Sequence, residues 1–294
     1  MDLSDLKTLW KENDFRPIKR FGQNFLIEGN IRDNILKQIA IDADDIVVEI
    51  GPGFGVMSFK IAEMCRKLYL VEKDKKICAM MEPLFRAKEN ITLIQGDILE
   101  TDLAGFPENE EKIIVYGNIP YNITTPIIQS VINNRTCIKE AAFVMQEEYA
   151  TRLTGSPGSK DYGSISCYVQ FYCKVKRQFR IGKNAFYPRP KVDSCLLSME
   201  ILSEPSIKVG DEHLMFRIIR QAFSQRRKKV LNPLSHDMFL NMTKEEWGRI
   251  FETAGVDPAL RAEDLALVDY AKVSDVVSRG VANRLEARGK GRRA

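Results

Sequence analysis

The sequence predicts an α/β protein with a doubly wound, largely parallel sheet and a small all-α C-terminal domain. Between residues 46 and 145, short apolar runs alternate with helical patterns, as in parallel sheets that helices cover on both faces. After the polar, proline-containing segment 202–206 the pattern is helical and lacks strand runs. We therefore expect an N-terminal arm over 1–28, a sheet domain over 29–204 and a helical domain over 205–294.

The predicted elements follow in the order that such a sheet requires. Ile31, Ile35 and Ile39 recur at helical spacing and predict a helix over 30–40. The near-continuous apolar run over 46–50 predicts a strand that is covered on both faces. Further strands of the parallel sheet are predicted at 68–72, 91–94, 113–117 and 141–145, with helices between them at 56–65, 74–87 and 125–134. Two more strands, at 168–173 and 195–201, are predicted to complete the sheet. The C-terminal helices are predicted at 214–223, 244–254 and 270–279.

Composition limits the class of protein. The 294 residues, 44% of them hydrophobic, can bury a sizeable core, and residues 1–12 lack the apolar segment of a signal peptide. No segment approaches the roughly twenty apolar residues that span a bilayer. The six cysteines form no Cys-X-X-Cys pair, and there are only two histidines, so we expect reduced thiols and no metal. A soluble, cytoplasmic monomer without a membrane partner is expected.

Basic residues are concentrated in the second half of the chain. The net charge is only +4, yet the segments 172–191 and 217–229 are rich in lysine and arginine and contain no acid, and the tail 284–293 is also basic. Such clustering favours a phosphate-binding surface over an ordinary solvated face. The candidate RNA-binding residues are Arg220, Arg226, Arg227, Lys228 and Lys229.

A glycine-rich loop follows the predicted strand at 46–50. In Gly51-Pro52-Gly53-Phe54-Gly55 the backbone can approach a ligand without an intervening Cβ. The last glycine of the dinucleotide fingerprint is missing, because Val56 stands three residues after Gly53. The loop therefore favours a nucleotide-like ligand that has no pyrophosphate.

Polar residues end the next predicted strands. Glu72 can bind both hydroxyls of a ribose, and Asp97 can accept a hydrogen bond from an adenine amine. Asn118 ends a fourth strand. Because the carboxyl ends of parallel strands meet at one edge of a sheet, we expect these residues to line one crevice with the glycine loop.

The segment Asn118-Ile119-Pro120-Tyr121 matches the chemistry of methylating an exocyclic base nitrogen. The asparagine oxygen and a backbone carbonyl held outward by the following proline can accept the two hydrogens of the amine, which favours a pyramidal, nucleophilic nitrogen. Tyr121 can stack on the base and hold it near the donor methyl group. Taken alone, the tetrapeptide is more typical of a strand-ending turn, and it is the glycine-rich loop upstream that favours the methylation chemistry.

Several motifs in this order resemble the ribosomal RNA adenine dimethyltransferases. The resemblance extends from about Phe21 to Leu265 and is strongest to the branch that acts on small-subunit (16S) rRNA. It is carried by residues 21–26 (FGQNFL), 49–55 (EIGPGFG), 118–121 (NIPY), 186–194 (FYPRPKVDS), 221–228 (QAFSQRRK) and 261–265 (RAEDL).

The resemblance implies a Rossmann-like class I methyltransferase sheet with S-adenosylmethionine as cofactor. It also implies dimethylation at N6 of two adjacent adenosines near the 3′ end of 16S rRNA, during maturation of the small subunit (a pre-30S particle). Phe186 is implied to stack on the target base opposite Tyr121. The expected catalytic residues are Asn118, Pro120, Tyr121 and Phe186, and the expected cofactor-binding residues are Asn24, Leu26, Gly51, Gly53, Glu72, Asp97, Ile98 and Asn118.

The sequence leaves three alternatives open. Ile119 is common in the macrolide-resistance branch, which modifies large-subunit rRNA, whereas the small-subunit branch commonly has leucine there. A ribosome-binding assembly factor with a vestigial cofactor site is a second alternative, although Glu72, Asp97 and residues 118–121 are intact. A DNA adenine methyltransferase is a third, which the motif at Phe186 and the helical appendage disfavour.

Overall fold

A computed structural model of the chain describes residues 3–107, 111–238 and 240–290. The strands are β1 (Phe25–Leu26), β2 (Ile46–Ile50), β3 (Lys67–Glu72), β4 (Ile91–Gln95), β5 (Ile113–Asn118), β6 (Ile138–Gln146), β7 (Cys173–Ile181), β8 (Phe186–Tyr187) and β9 (Ser194–Ile201). In the described residues a seven-stranded sheet has the order β4-β3-β2-β5-β6-β9-β7. Neighbouring strands from β4 to β6 are parallel, and β9 is antiparallel to β6.

Helices lie between β2 and β3, between β3 and β4 and between β5 and β6, whereas the described part of the β4–β5 connection contains only a 3-10 turn, Leu103–Gly105. Strand β2 is buried along its whole length, which explains why its sequence is apolar except for Glu49. The helices are α1 (Leu3–Glu12), α2 (Gly29–Gln38), α3 (Ser58–Ala62), α4 (Lys75–Arg86), α5 (Thr124–Asn133), α6 (Glu147–Leu153), α7 (Ser164–Tyr172), α8 (Glu212–Ala222), α9 (Leu231–Leu234), α10 (Lys244–Thr253) and α11 (Leu267–Lys290).

The predicted fold class is confirmed, with one wrong element. The segment 168–173 is not a strand, because Ser164–Tyr172 form α7 and strand β7 begins only at Cys173. A short apolar run fits a buried helix as well as a strand. The helix predicted at 74–87 is α4, and it continues through Pro83.

By their contacts the residues form two compact units. The sheet unit comprises Met1–Ala150 and Lys174–Ser203, and the helical unit comprises Thr151–Cys173 and Glu204–Ala294. Residues 151–173, which the sequence assigned to the sheet domain, therefore group with the C-terminal helices. The boundaries at 28/29 and 204/205, which were predicted to separate the arm, the catalytic domain and the RNA-docking domain, stay a prediction.

Aromatic packing explains why α7 belongs to the helical unit. The rings of Phe171 and Tyr172 lie 5.2 and 5.9 Å from the ring of Phe216 in α8. The Tyr172 hydroxyl donates to the Glu212 carboxylate over 2.6 Å. Aromatic pairs at such distances add to the free energy that burial contributes.

The N-terminal arm packs within the sheet unit. Leu6 and Phe15 are buried, and the rings of Trp10, Phe15 and Phe25 surround Phe54 of the glycine loop at 4.9 to 6.1 Å. Strand β1 of the arm pairs antiparallel with β8. The arm is therefore part of the core beside the glycine loop.

None of the helices in the described ranges combines the length and apolar character that crossing a bilayer requires.

All six cysteines are free thiols.

Candidate active site

A cleft of about 160 Å³ lies at the carboxyl ends of strands β2 to β5. It is where parallel sheets of this kind bind their ligands. Nine of the residues expected at the cofactor or target-base site line it: Asn24, Gly51, Gly53, Glu72, Asp97, Ile98, Asn118, Pro120 and Tyr121.

The glycine turn needs its glycines. Gly51, Gly53 and Gly55 have φ values of 65°, 54° and 73°, which side chains with a Cβ rarely adopt. A Cβ on Gly53 would lie 2.9 Å from the Phe25 ring, whereas one on Gly51 would meet nothing within 4 Å. The turn therefore leaves open space above Gly51, where a ligand can approach the backbone.

Glu72 is buried beside this turn, only 7% exposed. Its carboxylate accepts hydrogen bonds from the backbone amides of Gly53 (3.3 Å) and Asp74 (2.8 Å). Burial nevertheless dominates and raises the pKa of Glu72 to about 7. The charge on this carboxylate therefore changes near neutral pH.

Asp97 differs from Glu72 in its ionisation. Partial burial is the largest single effect and opposes its charge, but the hydrogen bonds from Lys73 and the Leu99 amide, together with the Lys73 charge, outweigh burial and lower the pKa of Asp97. Its second oxygen accepts from the amide of Leu99 over 3.1 Å. Asp97 is therefore ionised throughout the neutral range.

The amide of Asn118 is held in one orientation by the arm. Its Nδ2 donates to the backbone carbonyl of Asn24 over 2.8 Å. Gln23, the preceding residue, accepts from the Ile18 amide and donates to Asp74, both over 2.7 Å. With its nitrogen bound in this way, Asn118 keeps its side-chain oxygen as an acceptor for the cleft.

The residues after Asn118 are also fixed by hydrogen bonds. The Pro120 carbonyl accepts from the Ile123 amide and the Thr124 hydroxyl, both at 3.2 Å. The hydroxyls of Tyr121 and Ser194 lie 2.9 Å apart, and Ser194 is fully buried. Pro120 thus uses its carbonyl within the turn, and Ser194 fixes the position of the Tyr121 ring.

Two expected site residues, Leu26 and Phe186, do not line the cleft. Both are buried and line a smaller cavity of about 40 Å³, which Gly51 and Asn118 also line. Phe186 is 3% exposed and belongs to the hydrophobic core. Stacking of Phe186 on a base opposite Tyr121 therefore stays a prediction that would require this side chain to move.

Glu49 is a buried acid on the smaller cavity, 3% exposed. Burial and then the nearby Glu72 raise the pKa of Glu49 to about 8. The Glu49 Oε2 and the Tyr116 hydroxyl have no hydrogen-bond partner among the described residues. At pH 7 Glu49 is therefore mostly neutral in the folded protein.

Replacing Glu49 by glutamine should stabilise the protein more at pH 8 than at pH 5. The pKa of Glu49 is higher in the folded than in the unfolded chain, so rising pH between about 4.5 and about 8 favours unfolding of the wild type. Glutamine does not ionise, so the expected gain at pH 8 is a few kcal/mol. Urea unfolding of both proteins at the two pH values measures it; an equal difference at both would contradict a buried, neutral Glu49.

The candidate RNA-binding residues fall in the helical unit, but Arg226 differs from the other four. Its guanidinium donates to the carbonyls of Lys160 and Tyr162 over 2.9 and 3.0 Å and lies 3.5 Å from the Glu263 carboxylate. These contacts join Arg226 to its own unit. Arg220, Arg227, Lys228 and Lys229 are exposed.

The basic segment 172–191 is not free of acids in three dimensions. Lys174 pairs with Glu200, and Arg180 pairs with Glu147 and Asp193. Acids distant in sequence thus neutralise part of a segment that contains none. The tail 284–293 lies outside the residues whose side chains the structure describes.

Sequence reasoning missed several residues that form the cleft. The arm contributes Arg20, Phe21, Gln23 and Phe25 to its lining, and Lys73 lies beside Asp97. Ser194, the partner of Tyr121, stands in the motif at 186–194 but had no assigned role. Proximity in sequence could have identified them, because each of these residues lies within, or no more than two residues from, a motif or site residue named in the sequence analysis.

Comparison with known proteins identifies the family of this chain. The family model "Ribosomal RNA adenine dimethylase" matches residues 15–278. Proteins named "Ribosomal RNA small subunit methyltransferase A" are 35% identical in Clostridium botulinum, covering 92% of this chain and 98% of theirs, and 34% identical in Clostridium perfringens, covering 96% and 99%.

Solved structures show the same fold. A dimethyladenosine transferase from Plasmodium falciparum is 24% identical, with a TM-score of 0.70, over 85% of this chain and 95% of its own. The 23S rRNA methyltransferase ErmE is 20% identical, with a TM-score of 0.66, over 87% and 100%. The family match covers most of the chain, and so the chain is a methyltransferase that belongs to the ribosomal RNA adenine dimethylase family.

Proposed function

We propose that this protein uses S-adenosylmethionine to dimethylate N6 of two adjacent adenosines near the 3′ end of 16S rRNA, on a pre-30S particle, as a cytoplasmic monomer. The observation that supports the reaction best is the convergence of Glu72, Asp97 and Asn118 with the glycine turn on one cleft. The small-subunit relatives, which align over nearly their whole length, support the choice of RNA over the large-subunit alternative.

The cleft residues fit an adenosine-containing sulfonium. Glu72 and the open space above Gly51 suit a ribose that approaches the backbone, and Asp97 suits the adenine amine. Leu26 is buried beside Gly51 in the smaller cavity, so we assign it an indirect role in cofactor binding. When bound, the cofactor supplies an electrophilic methyl group.

The chain itself orients and polarises the target amine. Asn118 Oδ1 accepts one hydrogen of the adenine N6, and the Ile119 carbonyl, immediately before Pro120, accepts the other. The Pro120 carbonyl is already bound by Ile123 and Thr124. The Tyr121 ring, fixed through Ser194, stacks on the base. In-line transfer then needs alignment and exclusion of water more than an acid or base.

A direct test uses small subunits from cells that lack this modification. The protein and S-adenosylmethionine should convert two adjacent adenosines near the 3′ end to N6,N6-dimethyladenosine. Mass spectrometry of the digested RNA measures this conversion. Large subunits provide the control. Methylation of large-subunit RNA would favour the macrolide-resistance alternative, and cofactor binding without transfer to either RNA would overturn the proposal.

We further propose that the helical unit docks on the subunit through Arg227 and Lys228. Replacing both with alanine should weaken subunit binding about tenfold at physiological salt and lower its salt dependence, because two phosphate contacts are lost. Cofactor affinity should not change, because the cleft lies in the sheet unit. Filter binding across a salt series measures the effect.

Lys272→Ala serves as the matched control, since Lys272 is an exposed lysine on α11 of the same unit. Equal affinities of the double variant and the control would mean that Arg227 and Lys228 form an ordinary solvated face. Arg226 is unsuitable for this test, because its replacement would break contacts inside the unit.

A further inference from the structure

Arg20 stands at the cleft without an assigned role. Arg20 lines the cleft together with Phe21 and is exposed to solvent. The guanidinium carbon lies 5.2 Å from the centre of the Phe21 ring. No ion pair joins it to a carboxylate in the parts of the chain that the structure describes. Its charge is therefore available to a ligand.

Two contacts place this part of the arm beside the motif at 118–121. Asn122 Nδ2 donates to the Arg20 carbonyl over 3.4 Å. Gly22, with φ at 63°, packs so closely on Pro120 that a Cβ there would lie 3.3 Å from the Pro120 Cβ. The position of Arg20 thus depends on the same turn that presents Asn118 and Tyr121 to the target base.

We propose that Arg20 binds an RNA phosphate next to the target adenosine and thereby holds that nucleotide at the cleft. Arginine stacked on an aromatic ring keeps its planar fork of donors in place, which suits bidentate binding of a phosphate. A nucleotide whose base enters the cleft carries its phosphates at the rim, where the Arg20 side chain is exposed. This inference rests on the proposed RNA substrate.

The test compares Arg20→Gln and Arg20→Lys with the matched control Arg16→Gln. Arg16 is also exposed and lies four residues earlier in the arm, but it does not line the cleft. Arg20→Gln should raise the KM for small subunits about tenfold or more. It should also lower the slope of log K against log salt by about 0.7 to 0.9. Arg20→Lys should recover part of the affinity, because it restores the charge without the fork.

Cofactor titration by calorimetry completes the experiment and should give equal affinities for all variants. Weaker cofactor binding by Arg20→Gln, with an unchanged salt slope for RNA, would assign the anion to the cofactor carboxylate and overturn the inference. Equal KM values for Arg20→Gln and Arg16→Gln, with an active wild type, would overturn it and leave the proposed function intact. An inactive wild type would instead count against the proposed function.

Discussion

Asn118→Ala is expected to lower the single-turnover methylation rate about a hundredfold or more at saturating RNA and cofactor. The Asn118 oxygen accepts a hydrogen of the target amine most strongly when the nitrogen becomes pyramidal, so its loss removes transition-state stabilisation. Deletion of one oriented polar group in other enzymes has effects of this size. Binding of RNA should change little.

The measurement is rapid-quench transfer of labelled methyl groups, with cofactor and RNA affinities determined separately. Asn134→Ala is a suitable control, because Asn134 lies just after α5 and its side-chain amide donates to the Ser130 carbonyl of its own helix. A normal transfer rate in Asn118→Ala would remove the residue from the reaction. A loss explained entirely by weaker cofactor binding would reassign it to the cofactor site alone.

Glu72→Ala should weaken cofactor binding about 10- to 100-fold at pH 7.5, and it should also remove a pH dependence. An ionised Glu72 accepts charge-assisted hydrogen bonds from the ribose hydroxyls, each worth about 1.5–3 kcal/mol. The pKa of Glu72 in the free protein is about 7, so protonation below pH 7 removes that charge. Wild-type affinity should therefore rise with pH between 5.5 and 7.5.

Asp97→Ala is the matched comparison, because the pKa of Asp97 is lowered and its charge is constant over this range. Asp97→Ala should lose affinity for the cofactor to a similar extent, yet its affinity should depend on pH as that of the wild type does. Calorimetric titrations at intervals between pH 5.5 and 7.5 distinguish the two variants. If Glu72→Ala kept the pH dependence, another group would be responsible, and unchanged affinity in both variants would remove the two acids from the site.

The sheet was predictable because its strands have a simple physical signature. Residues 46–50 are apolar except for Glu49, since both faces of β2 are covered, and the predicted strand has the observed bounds. Residues 168–172 are also apolar except for one residue, Gln170, but they pack as a helix against Phe216 of α8. The sequence of such a five-residue run does not distinguish a strand from a helix, because the outcome depends on partners distant in the chain.

The candidate site was predictable where polar residues end strands, and less so where tertiary packing determines the position of a side chain. Glu72, Asp97 and Asn118 converge because parallel strands end at one edge of the sheet. Phe186 and Leu26 instead face the smaller cavity, and Arg226 binds carbonyls of its own unit. Neither strand order nor motif spacing predicts these side-chain positions, and the same is true of the bond from Asn118 to the arm.

The two tryptophans of the chain fall one in each unit. Trp10 lies in the aromatic cluster beside the glycine loop, 6.1 Å from the Phe54 ring, and Trp247 is fully buried next to Phe251 in α10. Their intrinsic fluorescence therefore reports on the two units separately. With Trp247→Phe or Trp10→Phe as background, unfolding of each unit can be followed by emission without an attached dye.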